Sequence, residues 1–495
     1  MKRLIGLTAA VSAALMAALS AASPASAQTT SILFVGNSYT FGRNLPVLTY
    51  NAANVRDLTQ PQGVLHGGTN PAQTFVSGAP FTNLTGTNSY PVGIINPATG
   101  AEFNSYSPHS QTVGWGGVPG IFKQLTVQAG LDYDVALSTR NAASLRGHFL
   151  NTANSNWDLR SNISSQRWDK VVLQEQSDEA LLPQTVNGVP LGSNYPALQA
   201  YVDRIEGWVH QGAALSYTER AMYEQVHGSV ANCVAAGGTT ASCSSTVLRT
   251  IPANANASAA TQIYLQQTWA RPNLINAPGA TTIDPRTGNA IYSGAPAPSY
   301  FNTLEAMTAE MSSGMSNVAA FAGLDGSGGI AGILPVGQAF LTAVQAGVAN
   351  RDMYAAGAST DDLIDLWFND GTHASVAGSY LSALTTFGSI TGLDPARFGA
   401  SERAARELGI SARDAVLLQR VASVQLGFSN RVPEPGTLAL VALALLALFW
   451  LRPPGQRSLA LAAKQSFSLL NARQRTEAAL IALPSALRVF WRAPG

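Results

Sequence analysis

Short apolar runs alternate along this chain with stretches whose apolar residues recur every three or four positions. Ile32-Leu33-Phe34-Val35 is such a run, closed by Gly36 and the polar pair Asn37-Ser38, and a short apolar run bounded by turn residues reads as a buried strand. Residues 134–137, 171–174, 262–269 and 330–336 read the same way. Residues 120–130, 195–210, 304–321 and 376–384 carry helical spacing, the first ending in Gly130, which suits a helix terminus. The alternation predicts an α/β fold, a three-layer α/β/α sandwich with a mainly parallel sheet. Two segments interrupt it, about 44–114 and 212–259, and are expected to be loop insertions rich in Asn, Gly, Pro, Ser and Thr.

Both ends follow a different logic. Lys2-Arg3, an apolar run over 4–19 and Ala25-Ser26-Ala27 have the parts of a secretory signal peptide, so residues 1–27 are expected to be removed. A folded body over 28–428 then leads to a linker at 429–436 containing Pro433-Glu434-Pro435. The apolar run 437–451 is a candidate C-terminal transmembrane helix, although it falls short of the ~20 residues of an ordinary span. Residues 452–495 contain Arg452, Arg457, Lys464, Arg473, Arg475, Arg488 and Arg492 against Glu477, which predicts a basic cytoplasmic tail.

Composition narrows the partners. Charged residues make up 12% of the 495 and the formal net charge is +1, so no basic surface for nucleic acid is expected. The two cysteines, Cys233 and Cys243, lie close together in a chain expected to reach an oxidising compartment, which predicts one local disulfide. No metal site is expected from them.

The chemistry sits at two distant places. Gly36-Asn37-Ser38 puts a serine at the carboxyl end of the first strand, where open α/β sheets hold ligands. Asp370-Gly371-Thr372-His373 offers an imidazole that can take the serine proton and a carboxylate that can orient the imidazole. His66, His109 and His210 lack such a neighbour and are expected to be surface or structural residues.

In this order the segments resemble the SGNH, or GDSL-type, hydrolase superfamily, in a branch whose third block reads Leu-Gln-x-x-Ser, here Leu173-Gln174-Glu175-Gln176-Ser177. The resemblance implies Ser38 as nucleophile, His373 as base and Asp370 as its orienting acid, with no cofactor. It implies an oxyanion hole built from the Ser38 N–H, a main-chain N–H of Ala143 or Ser144, and a side-chain amide from Gln174 or Gln176, with Gln174 favoured. Asn37 stands where the superfamily has aspartate, and no glycine opens the second block at Asn141. Asn37, His148, Trp269 and Arg271 are expected to border the substrate. Tyr90, Phe103, Tyr106 and Trp115 are candidates for stacking on sugar rings, with anchoring of the loop the favoured role.

The Pro-Glu-Pro motif, apolar stretch and basic residue resemble the PEP-CTERM sorting signal of Gram-negative bacteria. That resemblance implies recognition by an exosortase and a periplasmic or cell-surface location, with membrane anchoring through the C-terminal helix unless it is cleaved. The expected activity is ester hydrolysis on a small molecule or, preferentially, on an O-acylated surface polysaccharide. Glycan binding without turnover and a lipase or thioesterase activity are the alternatives.

Overall fold

The computed structural model describes residues 29–43, 46–58, 115–150, 159–283, 290–293, 296–358 and 361–428, with two-residue strands at 74–75, 94–95, 102–103 and 110–111. The expected signal peptide, most of the first insertion, the linker, the apolar span and the basic tail lie outside the described residues. Among the described residues no helix is long and apolar enough to cross a membrane.

The apolar runs become the strands of one sheet. Strands β1 (Thr30–Gly36), β2 (Arg56–Asp57), β3 (Tyr133–Thr139), β4 (Lys170–Gln174), β5 (Gln262–Gln266) and β6 (Gly332–Leu334) form a six-stranded sheet in the order β6-β5-β4-β1-β3-β2. Every neighbouring pair is parallel. Successive side chains of a strand point to opposite faces. Ile32 and Phe34 of β1 therefore join Leu137, Val172, Tyr264 and Leu334 in one core, while Leu33 and Val35 join Ala136, Leu173 and Leu265 in the other.

Helices cover both faces. The first core is packed by α2 (Gly117–Gln128), α6 (Val336–Gln345), α7 (Val376–Thr391) and α8 (Ala412–Gln425). The second is packed by α3 (Leu145–Leu150) and α4 (Tyr195–His210), and α5 (Leu304–Ala322) contributes to both. The chain leaves β1 toward β3 on one side and then crosses to β4 on the other. That reversal lies at the carboxyl ends of β1 and its neighbours, the place where such sheets bind ligands.

Three boundaries differ from the sequence reading. Residues 46–58 belong to the body: Val47, Leu48 and Val55 are buried, and β2 pairs with Ala136 and Leu137 of β3. Polar neighbours hide those apolar residues from any periodicity, so tertiary burial alone makes them core. The strand expected over 262–269 stops at Gln266, and Val336 opens a helix instead of closing a strand. The second insertion is ordered, with Leu215–Thr218 and Leu248–Ile251 in an antiparallel hairpin. Short helices lie between them, and Cys233 and Cys243 form a buried disulfide.

Candidate active site

Gly36 ends β1 because the chain behind it is crowded: a Cβ there would run into Thr40 Oγ1 and Gln174 Oε1. Asn37 then caps α1 (Ser38–Phe41), accepting from the Tyr39 N–H at 3.1 Å. An asparagine at this place is a good helix cap. Its Nδ2 donates to Ala143 O at 3.0 Å, tying the serine turn to the loop after β3. Asn37 is thus buried scaffolding and not the substrate contact expected of it, because both ends of its amide are engaged by the backbone.

Gln174 is corrected in the same way. Strand phase puts it on the Gly36 face of the sheet, behind the turn. Its Oε1 accepts from the Asn37 N–H at 2.9 Å and from Thr40 Oγ1 at 2.8 Å, and its Nε2 donates to Glu175 O. A fully buried amide so committed holds the turn in shape and is not placed as an oxyanion donor. Gln174→Leu is expected to lower stability by about 2–4 kcal/mol in urea unfolding, since two buried donors lose their acceptor. Unchanged stability with a loss of turnover would restore the donor role.

The other half of the site is the loop before α7. Gly371 adopts a left-handed φ of 63°, a conformation glycine takes without cost. This turns the chain so that Asp370 Oδ1 accepts from the Thr372 and His373 N–H groups, both at 2.9 Å. Asp370 Oδ2 is 2.6 Å from His373 Nδ1, and His373 Nε2 is 2.8 Å from Ser38 Oγ. Ser375 caps α7 by accepting from the Gly378 N–H at 3.1 Å. Loop and helix therefore form one rigid unit.

Trp269 supports that unit from below and does not line it. It is fully buried, stacks on Phe340 at 4.8 Å and donates from Nε1 to Thr372 O at 2.9 Å. A large ring close to the site is more useful as packing than as a wall, because its apolar area is then removed from water. Tyr39 packs edge-on to Trp269 at 4.7 Å and donates to Ser177 Oγ at 2.9 Å. Arg271 Nη1 donates to the same Ser177 Oγ at 3.1 Å and pairs with Asp178 at 3.4 Å.

His148 is also internal. It is fully buried, and its Nε2 lies 2.8 Å from Gly36 O. Burial holds the imidazole down to about 3, so it stays neutral and donates to that carbonyl, bracing the strand end. In the second block, Ala142 takes a left-handed φ of 53° without being glycine. The Ala143 N–H donates to Arg140 O at 3.3 Å, and Ser144 Oγ accepts from the Gly147 N–H at 3.1 Å at the start of α3. Trp115 is fully buried against Phe41 at 4.4 Å, an anchoring role. His210 lies between Glu206 and Thr261 O, away from Ser38.

Sequence reasoning missed Arg43 and Tyr39 as neighbours of the site and gave no role to Glu175 and Ser177 within the third block. Arg43 Nη1 comes within 3.4 Å of His373 Nε2, and no motif marks it. Glu175 accepts from the Leu145 N–H at 3.0 Å and the Gln176 N–H at 2.6 Å. Burial pushes its carboxyl up to about 8 despite those bonds. The one signal available was a charged residue at the end of an otherwise apolar strand, Val171-Val172-Leu173-Gln174-Glu175.

The electrostatics follow from burial and from the loop. Burial raises the Asp370 carboxyl, but His373 beside it and the N–H donors outweigh that and hold it at about 2. Burial lowers His373, Asp370 pulls it back up, and Arg43 and Arg271 push it down again. The imidazole is therefore neutral at neutral pH, with one nitrogen facing a carboxylate and the other a hydroxyl. Among the described residues no group of three or more His, Cys, Asp or Glu side chains is arranged to hold a metal.

Comparison with known proteins gives one family match: the PEP-CTERM protein-sorting motif, over residues 431–452. The motif implies export, cell-surface or membrane association, and processing by an exosortase-like enzyme. No curated protein sequence matches the chain. Among solved structures, a DUF4886 family protein from Bacteroides uniformis is similar at 13% identity and a TM-score of 0.36, covering 82% of this chain and 98% of its own. A candidate SGNH hydrolase from Slackia heliotrinireducens is similar at 13% identity and a TM-score of 0.29, covering 73% and 99%.

Proposed function

We propose that this chain is an exported serine hydrolase of SGNH type that cleaves a carboxylic ester. The observation that carries the reading is the unbroken line of hydrogen bonds from Asp370 through His373 to Ser38, at 2.6 and 2.8 Å. In this reading His373 Nε2 takes the Ser38 proton as Oγ attacks the ester carbonyl, and Asp370 steadies the imidazolium that forms. Collapse of the tetrahedral intermediate expels the alcohol, which receives the proton from His373. Water, activated by the same imidazole, then releases the acid from the acyl-serine.

The oxyanion is assigned to main-chain N–H groups of Ser38 and Ser144 and to the Gln176 amide. Losing one such donor costs on the order of 10²–10³ in rate. With the Arg43 guanidinium beside His373 Nε2, the electrostatic field at the site also favours negative charge on the reacting oxygen. An O-acyl group on a surface polysaccharide is the preferred substrate in this reading, supported by a sorting motif that implies export and cell-surface or membrane association.

The base must be neutral to act, and burial together with Arg43 and Arg271 lowers its pKa. The acid limb of kcat/KM is therefore expected below the ordinary histidine value of ~6.5, and Arg43→Gln is expected to move it upward. A pH profile with its acid limb above that value would contradict the assignment of His373.

A fluorophosphonate probe tests the whole reading. Labelled protein is digested and the adduct mapped by mass spectrometry, with the label expected on the peptide containing Ser38. Folded protein that takes no label, and turns over neither acetyl nor longer-chain nitrophenyl esters, would favour glycan binding without catalysis.

A further inference from the structure

Beside the loop carrying Asp370 and His373 lies a cavity of about 430 Å³, which Ser38 does not line. That volume is within the range of small-molecule sites. The cavity and the site share a wall. Tyr354 lines the cavity, and its hydroxyl is the atom a Cβ on Gly371 would meet. Asn273, next to the lining residue Pro272, donates its N–H to Gly371 O at 3.3 Å.

The lining chemistry selects a ligand class. Phe301, Tyr354, Pro272 and Ile275 offer flat or compact apolar faces, and Asn276, Asn302 and Ser299 bring amides and a hydroxyl to the same space. The charges are answered internally. Arg351 Nη1 is bound to both Glu305 oxygens at 2.8 and 2.9 Å. Asp352 accepts from the Tyr354 N–H at 3.0 Å and from Asn276 Nδ2 at 3.4 Å. Two carboxylates against one guanidinium leave no surplus cation for a uronate or phosphate. The density of polar groups is equally unsuited to an acyl chain, since each would be desolvated without a partner. A pyranose ring, with apolar C–H faces and an equatorial rim of hydroxyls, matches both halves.

We propose that this cavity is a binding subsite for a neutral sugar unit of a glycan chain. Binding there does not depend on catalysis. That the same chain presents its ester to Ser38 rests on the hydrolase reading above.

The test is calorimetric titration of the full chain carrying Ser38→Ala with cellotetraose, maltotetraose and mannotetraose. Tetragalacturonate and decanoate are the anionic and acyl comparisons. At least one neutral tetramer is expected to bind. Asn302→Trp and Asn276→Trp, both at exposed positions, are each expected to weaken it roughly tenfold or more by filling the cavity, equivalent to about 1.4 kcal/mol. The proposal is overturned if no neutral tetramer binds, if binding is unchanged in both tryptophan variants, or if tetragalacturonate or decanoate binds as tightly. Fluorophosphonate labelling of the wild-type chain separates the two ideas: label without sugar binding removes the subsite alone, and sugar binding without label removes the hydrolase alone.

Discussion

Ser38→Ala is expected to lower kcat on an ester by about 10⁵–10⁶ and to abolish fluorophosphonate labelling, the scale seen when the nucleophile of a serine triad is removed. The fold should survive. Ser38 is the first residue of α1, and the cap that starts that helix comes from Asn37, so the turn is held by groups other than the serine hydroxyl. Removing Oγ leaves His373 Nε2 without its 2.8 Å partner but still beside Arg43. Thermal unfolding close to wild type would show that the loss is chemical. Turnover within tenfold of wild type would end the proposal that this serine forms the acyl intermediate.

Asp370→Asn is expected to cost about 10⁴ in kcat with the backbone of the loop intact. The reason lies in how the two carboxylate oxygens are used. Oδ1 accepts the Thr372 and His373 N–H groups, while Oδ2 faces His373 Nδ1 at 2.6 Å. An asparagine can keep its oxygen on the two N–H groups, which points its NH₂ at Nδ1. The imidazole must then carry its proton on Nε2, the nitrogen that faces Ser38, and can no longer receive the serine proton. The check is kcat on one ester for the wild type and both variants, with circular dichroism confirming the fold. A variant losing less than tenfold would show that His373 is oriented by its packing against the Tyr39 ring, 5.3 Å away, and not by this carboxylate.

Some of this was open to a reader of the chain. The strands were legible because a fully buried parallel strand needs apolar side chains on both faces, which leaves runs such as Ile32-Leu33-Phe34-Val35. The residues nominated for chemistry were legible because glycine, serine, aspartate and histidine sat at strand ends and a helix start, where a turn and a cap leave recognisable residues. The sorting motif was legible because sorting is read from linear sequence, and it is matched at residues 431–452. Less was legible where one residue type serves two purposes. A glutamine can donate to substrate or brace a turn, and only the packing of β4 against β1 shows that Gln174 braces. Trp269 next to Arg271 suggested a pocket wall, but its ring faces Phe340 and its N–H supports the 370–373 loop.

By itself, then, the amino-acid order determined the long central strands and several of the helices that cover them, that the sheet is mainly parallel, and which side chains were candidates for chemistry. These are local properties, carried by periodicity and by the conformational preferences of individual residues. Only the tertiary structure decided that Ser38 and His373, 335 positions apart, come within hydrogen-bond reach. It also decided that residues 46–58 extend the sheet, that Asn37 and Gln174 are scaffolding, and that Arg43 stands beside the imidazole. Each of these depends on what lies on the neighbouring strand or across the core. That is a matter of burial and strand order, which no window of consecutive residues contains.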